Sequence, residues 1–199
     1  MTTTVTPANP AKTALLLMDF QPAILASIAE SEGLLARTRD ALSWARSEKI
    51  QVCYVRVAFT DEDFRAVPAH SKAFASVAQN KYLAADSPEA QIHPSLEIRD
   101  EDIVVRKTRF GAFSTTSLYS RLHAQGIDTL ILAGISTSGV VLSTVRDTGD
   151  EDYRIYVLSD ATADPDPEVH RVLIEKVFPY QADVITTGDL QTLSQDLNL

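Results

Sequence analysis

Six short apolar runs, separated by longer segments of helical period, constrain the fold of this chain more than any other feature. The runs cover residues 13 to 18, 51 to 57, 103 to 106, 129 to 133, 154 to 158 and 183 to 185. Most of them are continuously apolar rather than alternating, which indicates strands that are covered on both faces. Strands that alternate with helices predict a three-layer α/β/α architecture built around a six-stranded, mostly parallel, doubly wound sheet.

The segments between these runs carry helical signals. Helices are predicted near residues 34 to 47, 114 to 125, 139 to 150 and 167 to 177. Pro167 suits the first turn of the last of these, because its missing N–H would have no partner there. The stretch from 58 to 102 is too long for a bare loop in a compact domain, so a short helix is expected within residues 68 to 79, where it would wall a pocket.

Length and composition favour a single globular domain. A chain of 199 residues can bury roughly 70% of its unfolded surface, and no repeat or Gly/Ser-rich linker divides it. Residues 1 to 12 are predicted to be a flexible N-terminal tail without signal-peptide character, followed by the domain at 13 to 199, so a cytoplasmic location is expected. The net charge of -9 disfavours binding to nucleic acid or to an anionic membrane.

Three of the predicted strands lead into features that could take part in chemistry. Asp19 ends the first, Lys107 ends the third, and a glycine-containing turn follows the fourth within ILAGISTSGVV, residues 131 to 141. In a parallel α/β sheet the carboxyl ends of the strands border one crevice, so the acid, the cation and the turn are expected to share one site. This arrangement indicates an enzyme that acts on a small molecule.

Several segments around these residues resemble the isochorismatase-like hydrolase family, which includes nicotinamidases, carbamoylsarcosine amidases and isochorismatases proper. The segments are ALLLMDFQPAIL, YVRVAF, DIVVRKTRFGAF, LILAGISTSGVVLSTVRD and YRIYVLSDATAD, in that order. The resemblance implies a six-stranded parallel sheet, assembly as a homodimer or larger homo-oligomer, and catalytic roles for Asp19 and Lys107. It also implies a non-proline cis peptide between Ile135 and Ser136, with backbone amides that face the substrate oxygen.

The chain departs from the family at the residue that normally supplies the nucleophile. Most members carry a cysteine in the pattern A-G-x-x-T-x-x-C-V; here Ala133, Gly134 and Thr137 match, and Val140 takes the cysteine position. The downstream S-T-x-R-D pattern stays in frame at 143 to 147, so no gap restores a thiol. A valine cannot attack a carbonyl, which closes the thioester route. Isochorismatases proper can also lack this cysteine and hydrolyse a vinyl ether by acid catalysis, so they are the nearest precedent.

Asp19 and Lys107 are therefore the predicted catalytic groups, although a structural role is the alternative for each. Burial raises the pKa of a carboxyl group and a nearby lysine lowers it, so the sequence leaves open whether Asp19 acts as a general acid or a general base. Lys107 would orient Asp19 and stabilise negative charge on a substrate oxygen. In the structural alternative, Asp19 caps the following segment and Lys107 is a solvated strand-end lysine.

Substrate binding is assigned to the turn and to nearby aromatic rings. The predicted binding residues are Phe20, Phe110, Phe113, Ile135 and Ser136. The three phenylalanines are expected to line an apolar pocket for a ring or an acyl group, with aromatic core packing as the alternative.

Other reactive side chains carry weaker signals. Cys53 lies inside a strand and is expected to be a small buried hydrophobe rather than a reactive thiol. Nicotinamidases carry an Asp-x-His pattern after the second strand, where this chain has DEDF at 61 to 64, so neither a metal nor another cofactor is expected. Ser136 and Ser138 are alternatives as a relocated nucleophile, but no G-x-S-x-G elbow surrounds them. A last alternative is a noncatalytic protein that binds a ligand, or assembles, through the same pocket.

Overall fold

The six predicted strands form one parallel sheet. The structure is a computed structural model, which describes the backbone of residues 8 to 195 and the side chains of residues 8 to 193. The strands are β1 (Thr13–Met18), β2 (Gln51–Val57), β3 (Ile103–Lys107), β4 (Thr129–Ile135), β5 (Arg154–Ala163) and β6 (Asp183–Ile185). Their order across the sheet is β3-β2-β1-β4-β5-β6, and every neighbouring pair is parallel. This confirms the predicted doubly wound α/β fold.

The described residues form eight α-helices around this sheet. They are α1 (Pro22–Leu25), α2 (Ser31–Ser47), α3 (Asp61–Ala66), α4 (Ala75–Gln79), α5 (Leu118–Ala124), α6 (Leu142–Asp150), α7 (Pro167–Val172) and α8 (Leu190–Gln195). The predicted helix at 114 to 125 is shorter in the structure, because Thr115 has a φ of 65° that interrupts helical geometry before α5. The helices predicted at 139 to 150 and 167 to 177 each include a π-helical turn, at Thr137–Val141 and Leu173–Val177.

Helices cover both faces of the sheet, and alternate residues of β1 point to opposite layers. Leu15 and Leu17 belong to an apolar cluster that includes residues of α2 and α8. Leu16 and Met18 belong to a second cluster, which includes residues of α5 and α6. Every residue of β1 is buried, which explains why its run is continuously apolar.

The long excursion between β2 and β3 contains more helix than the sequence predicted. The expected helix is present as α4 but is shorter than residues 68 to 79. The unpredicted helix α3 begins at a reciprocal capping box, in which the side chains of Thr60 and Asp63 each accept a hydrogen bond from the other residue's backbone N–H. Phe59, Phe64 and Leu83 belong to a third apolar cluster, which holds the excursion over the carboxyl end of β2.

The expected N-terminal tail falls partly on residues 1 to 7, which lie outside the described residues. Within residues 8 to 12, the N–H of Ala8 donates a hydrogen bond to the carbonyl of Leu193, and Pro10–Lys12 forms a 3-10 turn. Among the described helices, none combines the length and the apolar character needed to cross a membrane.

Candidate active site

The strand order places a crevice at the carboxyl end of β1, where the sheet continues to β2 on one side and to β4 on the other. A cavity of about 300 Å³ lies there. It is lined by five of the residues singled out from the sequence as catalytic or turn residues: Asp19, Lys107, Ile135, Ser136 and Val140. A larger and more open depression of about 760 Å³ lies at the amino-terminal edge of the sheet. The smaller cavity is the candidate site, because it contains the only buried acid–base pair found among the described residues.

Asp19 and Lys107 form an ion pair inside this cavity. Lys107 Nζ lies 2.7 Å from Asp19 Oδ2, and the two side chains are only 2% and 5% exposed, respectively. Lys107 Nζ also donates a hydrogen bond to the backbone carbonyl of Arg109, at 3.0 Å. This burial rules out the solvated-lysine alternative for Lys107.

The ionisation of Asp19 is balanced between two opposing effects. Burial raises its pKa to about 6, although the charge of Lys107, its hydrogen bond and, least of the three, the backbone N–H of Val57 oppose this rise. Asp19 Oδ1 is buried and has no hydrogen-bond partner among the described residues. One carboxyl oxygen is therefore held by Lys107, while the other has no hydrogen-bond partner among the described residues.

The backbone at Asp19 turns sharply out of the sheet. Its φ is 60°, in the left-handed region that residues other than glycine rarely adopt, although aspartate is enriched there. Its N–H still donates to the carbonyl of Val55, which fixes the residue to the end of β2. The side chain does not cap α1, whose first turn has no side-chain cap. The capping alternative is therefore not what the structure shows.

Gln21 is a buried polar residue of the site region that the sequence interpretation missed. Its Nε2 donates hydrogen bonds to the carbonyls of Val57 (2.9 Å) and Ala90 (2.7 Å). Its Oε1 accepts one from the N–H of Val57, at 2.9 Å. These bonds join the segment after β1 to the end of β2 and to the excursion. The only sign of this role in the sequence is that a polar glutamine lies between Phe20 and Pro22.

The turn after β4 has the predicted form. The Ile135–Ser136 peptide bond is cis, and both residues line the cavity. Val140 is 2% exposed and also lines the cavity, where its side chain offers only hydrocarbon. A Cβ on Gly139 would come within 2.7 Å of Ser136 Oγ, which explains the glycine at this point.

Only one of the three predicted aromatic residues lines the cavity. Phe110 does so and is 49% exposed. Phe20 instead packs in the apolar cluster beneath α2, because the chain turns away from the cavity after Asp19. Phe113 packs against Tyr119 and Tyr153, with ring centroids 5.9 and 6.1 Å away. The assignment of Phe20 and Phe113 to the pocket is therefore corrected to core packing.

The excursion supplies the opposite wall of the cavity, as its position in the sequence suggested. Apolar and aromatic side chains dominate this wall, and they are Phe59, Phe74, Val77, Tyr82 and Leu83. Arg109 also lines the cavity, and the sequence interpretation gave it no role.

Cys53 does not line the cavity. It is fully buried in the apolar cluster that contains residues of α5 and α6, and burial raises the pKa of its thiol. This confirms that Cys53 is a buried hydrophobe. Within the described part of the chain, no group of three His, Cys, Asp or Glu residues is arranged to hold a metal ion.

The fold and the site together define a doubly wound α/β protein with a buried Asp–Lys pair at the carboxyl end of its sheet. An isochorismatase domain model matches residues 13 to 189, so the chain belongs to the isochorismatase family and is a hydrolase of that family.

Similar proteins agree with this assignment. An uncharacterised isochorismatase family protein of Bacillus subtilis is 29% identical over 168 residues, which cover 84% of this chain and 86% of that protein. A maleamate amidohydrolase of Pseudomonas putida is 28% identical over 192 residues, covering 89% and 84%. A cysteine hydrolase of Pseudomonas syringae pv. phaseolicola superposes with a TM-score of 0.83 over 97% of this chain and 98% of its own, at 23% identity, which shows the shared fold.

Proposed function

We propose that the protein hydrolyses a small molecule by acid–base chemistry at Asp19, with water rather than a cysteine as the nucleophile. One observation carries this proposal: Asp19 Oδ1 is buried in the cavity without a hydrogen-bond partner, while Oδ2 is held by Lys107. A pKa of about 6 lets the carboxyl group give or take a proton near neutrality. Val140 supports the choice of water, because its side chain offers no nucleophile.

Vinyl ether hydrolysis is the reaction that fits an acid without a thiol. Asp19 donates its proton to the terminal alkene carbon, which leaves an oxocarbenium ion and an Asp19 carboxylate beside Lys107. Water then adds to the carbon that bears the ether oxygen, and a proton returns to Asp19. The resulting hemiketal breaks into a carbonyl compound and an alcohol, so one water is consumed and the acid is regenerated. Lys107 stabilises the carboxylate formed in the first step.

Amide hydrolysis through a relocated nucleophile is the second candidate. Ser136 lines the cavity, and a maleamate amidohydrolase is among the similar proteins. In this reaction Asp19, as a base, accepts the Ser136 hydroxyl proton while Ser136 Oγ attacks the carbonyl. The amine then leaves with that proton, and water releases the acyl group from Ser136. This route passes through an acyl-enzyme, whereas direct attack by water does not.

A substrate panel with mass spectrometry tests the proposal. Vinyl ethers, amides and ureas are incubated with the wild type, with Asp19→Asn and with Ser136→Ala, and products and intact protein are both measured. We expect turnover by the wild type and by Ser136→Ala, no covalent adduct, and no turnover by Asp19→Asn. An adduct that Ser136→Ala abolishes would identify the relocated nucleophile. Ligand-induced stabilisation without any product would instead indicate a noncatalytic binding protein.

We also propose that the protein assembles as a homodimer or larger homo-oligomer, on the basis of the family resemblance. The sequence supports a cytoplasmic location.

A further inference from the structure

Arg109 lines the cavity beside the catalytic pair, and its charge is not neutralised there. The charges of Asp19 and Lys107 offset each other at 2.7 Å. Within the described part of the chain, no carboxylate lies at ion-pair distance from Arg109. Even when Asp19 is ionised, Arg109 therefore leaves an excess of positive charge in the cavity, in a chain whose net charge is -9.

The guanidinium of Arg109 is held in place with most of its donors unused. Its Nη1 donates a hydrogen bond to the carbonyl of Thr108, at 2.6 Å. Its Cζ lies 5.3 Å from the ring centroid of Phe74, another residue of the cavity wall. A guanidinium has five N–H donors in a planar fork that matches a carboxylate, so a held guanidinium loses little freedom when it binds one.

The rest of the cavity suits an apolar body attached to that carboxylate. Phe74 and Phe110 lie side by side at the wall, with ring centroids 5.0 Å apart. Ile24, Val57 and Val77 add aliphatic surface to the lining. A ligand that reaches both features must combine an anionic group with a hydrocarbon or aromatic group.

We propose that Arg109 determines substrate specificity by binding the carboxylate of a small organic acid, whose apolar body fills the cavity and whose reacting group faces Asp19. This inference rests on the proposed function, because it takes the cavity of Asp19 and Lys107 as the substrate site. It names the substrate class as small apolar carboxylates.

The side chain of Arg109 can be changed without removing the contact that this residue makes to the catalytic pair. Lys107 Nζ is bound by the backbone carbonyl of Arg109, which every substitution keeps. Arg65 provides a matched control: it is an exposed arginine of α3 in the same excursion and does not line the cavity. Arg65→Gln changes the net charge by the same amount as Arg109→Gln.

Equilibrium binding of benzoate, benzamide and acetate, measured by isothermal titration calorimetry, tests the proposal without any turnover. For the wild type we expect benzoate to bind at least about tenfold more tightly than its neutral analogue benzamide, the effect of one charge-assisted contact. Acetate should also bind more weakly than benzoate, because it lacks the apolar body. Arg109→Gln should weaken benzoate binding about tenfold or more and leave benzamide unchanged. Arg109→Lys should recover part of the loss, and Arg65→Gln should match the wild type.

Two results would overturn the proposal. One is equal affinity of the wild type for benzoate and benzamide, including no detectable binding of either; this comparison needs no variant and stands even where Arg109→Gln does not fold. The other is unchanged benzoate affinity in a folded Arg109→Gln protein. Failure of the proposed function is a separate result, namely full turnover by Asp19→Asn, which binding of benzoate does not measure.

Discussion

Lys107 Nζ lies 2.7 Å from Asp19 Oδ2, although the strands that lead to these residues are not neighbours in the sheet. β2 lies between β1 and β3, and Val57 at its end is the register partner of Lys107. The lysine side chain therefore extends past the end of β2 to reach the carboxylate. Burying two charges is costly even when they pair, so such a pair is weak evidence for stability. The catalytic role that we propose for the pair would account for this cost.

Asp19→Asn should abolish turnover and leave the fold intact. Asparagine is nearly isosteric but cannot exchange the proton, and positioned acid–base catalysis contributes about 10²- to 10⁴-fold. We therefore expect a loss of at least about a hundredfold in kcat/KM. A melting measurement is the control, because Lys107 loses its charged partner. A folded variant that keeps most of the wild-type rate would make Asp19 a structural residue.

The pH dependence of kcat/KM should show a limb near pH 6 that belongs to Asp19, whose pKa burial raises to about 6 against the opposing charge of Lys107. If Asp19 is a general acid, as for a vinyl ether, the active form is protonated and the rate falls as the pH rises through about 6. If it is a general base, the rate rises over the same range. A profile without either limb between pH 5 and 7 (about one unit on each side of that pKa) would contradict an acid–base role.

Iodoacetamide should leave the activity of the wild type unchanged. Cys53 is the single cysteine of the chain and is fully buried, and burial raises the pKa of its thiol, so little reactive thiolate is present. Residual activity and the mass of the intact protein are followed together over time. Rapid inactivation with one added carbamidomethyl group on Cys53 would show that this thiol is accessible and important.

Val140→Cys should introduce a thiol that iodoacetamide modifies. Val140 lines the cavity with Asp19 and Lys107, so a cysteine there meets reagent that enters the cavity. Val141→Cys is the matched control, because Val141 is fully buried and does not line the cavity. Peptide mapping should find label at position 140 in the first variant and much slower labelling at 141 in the second. Labelling at position 140 that is as slow as labelling at position 141 would mean that the cavity is not open to small molecules.

Gln21→Leu should destabilise the protein by about 3 kcal/mol, because it removes the side-chain hydrogen bonds of the buried N–H and carbonyl of Val57, at roughly 1 to 3 kcal/mol each, whereas the carbonyl of Ala90 keeps a hydrogen bond from Arg56. Gln125→Leu is the control, since Gln125 is exposed at the end of α5. The free energy of unfolding is measured by urea denaturation. A loss no larger than that of the control would show that the three hydrogen bonds of Gln21 add nothing to stability.

The sequence by itself determined the fold and the main features of the site. The apolar runs mark strands because most residues buried between two helix layers are apolar, as residues 14 to 18 of β1 are, so local pattern reports tertiary burial. Asp19 and Lys107 were found because parallel strands end at one edge of the sheet. Motif spacing also predicts that Val140 takes the position of the family's cysteine, and this stays a prediction.

Other features were decided only by the tertiary structure. Phe110 lines the cavity while Phe20 and Phe113 pack in the core, and nothing in their local sequence separates them. Gln21 joins separate segments of the chain, because it bonds to residues 36 and 69 positions away. The pKa of Asp19 depends on how far burial outweighs the attraction of Lys107. The physical reason is the same in each case: periodicity reports which side of an element is buried, whereas the shape and charge of a cavity depend on which distant segments meet there.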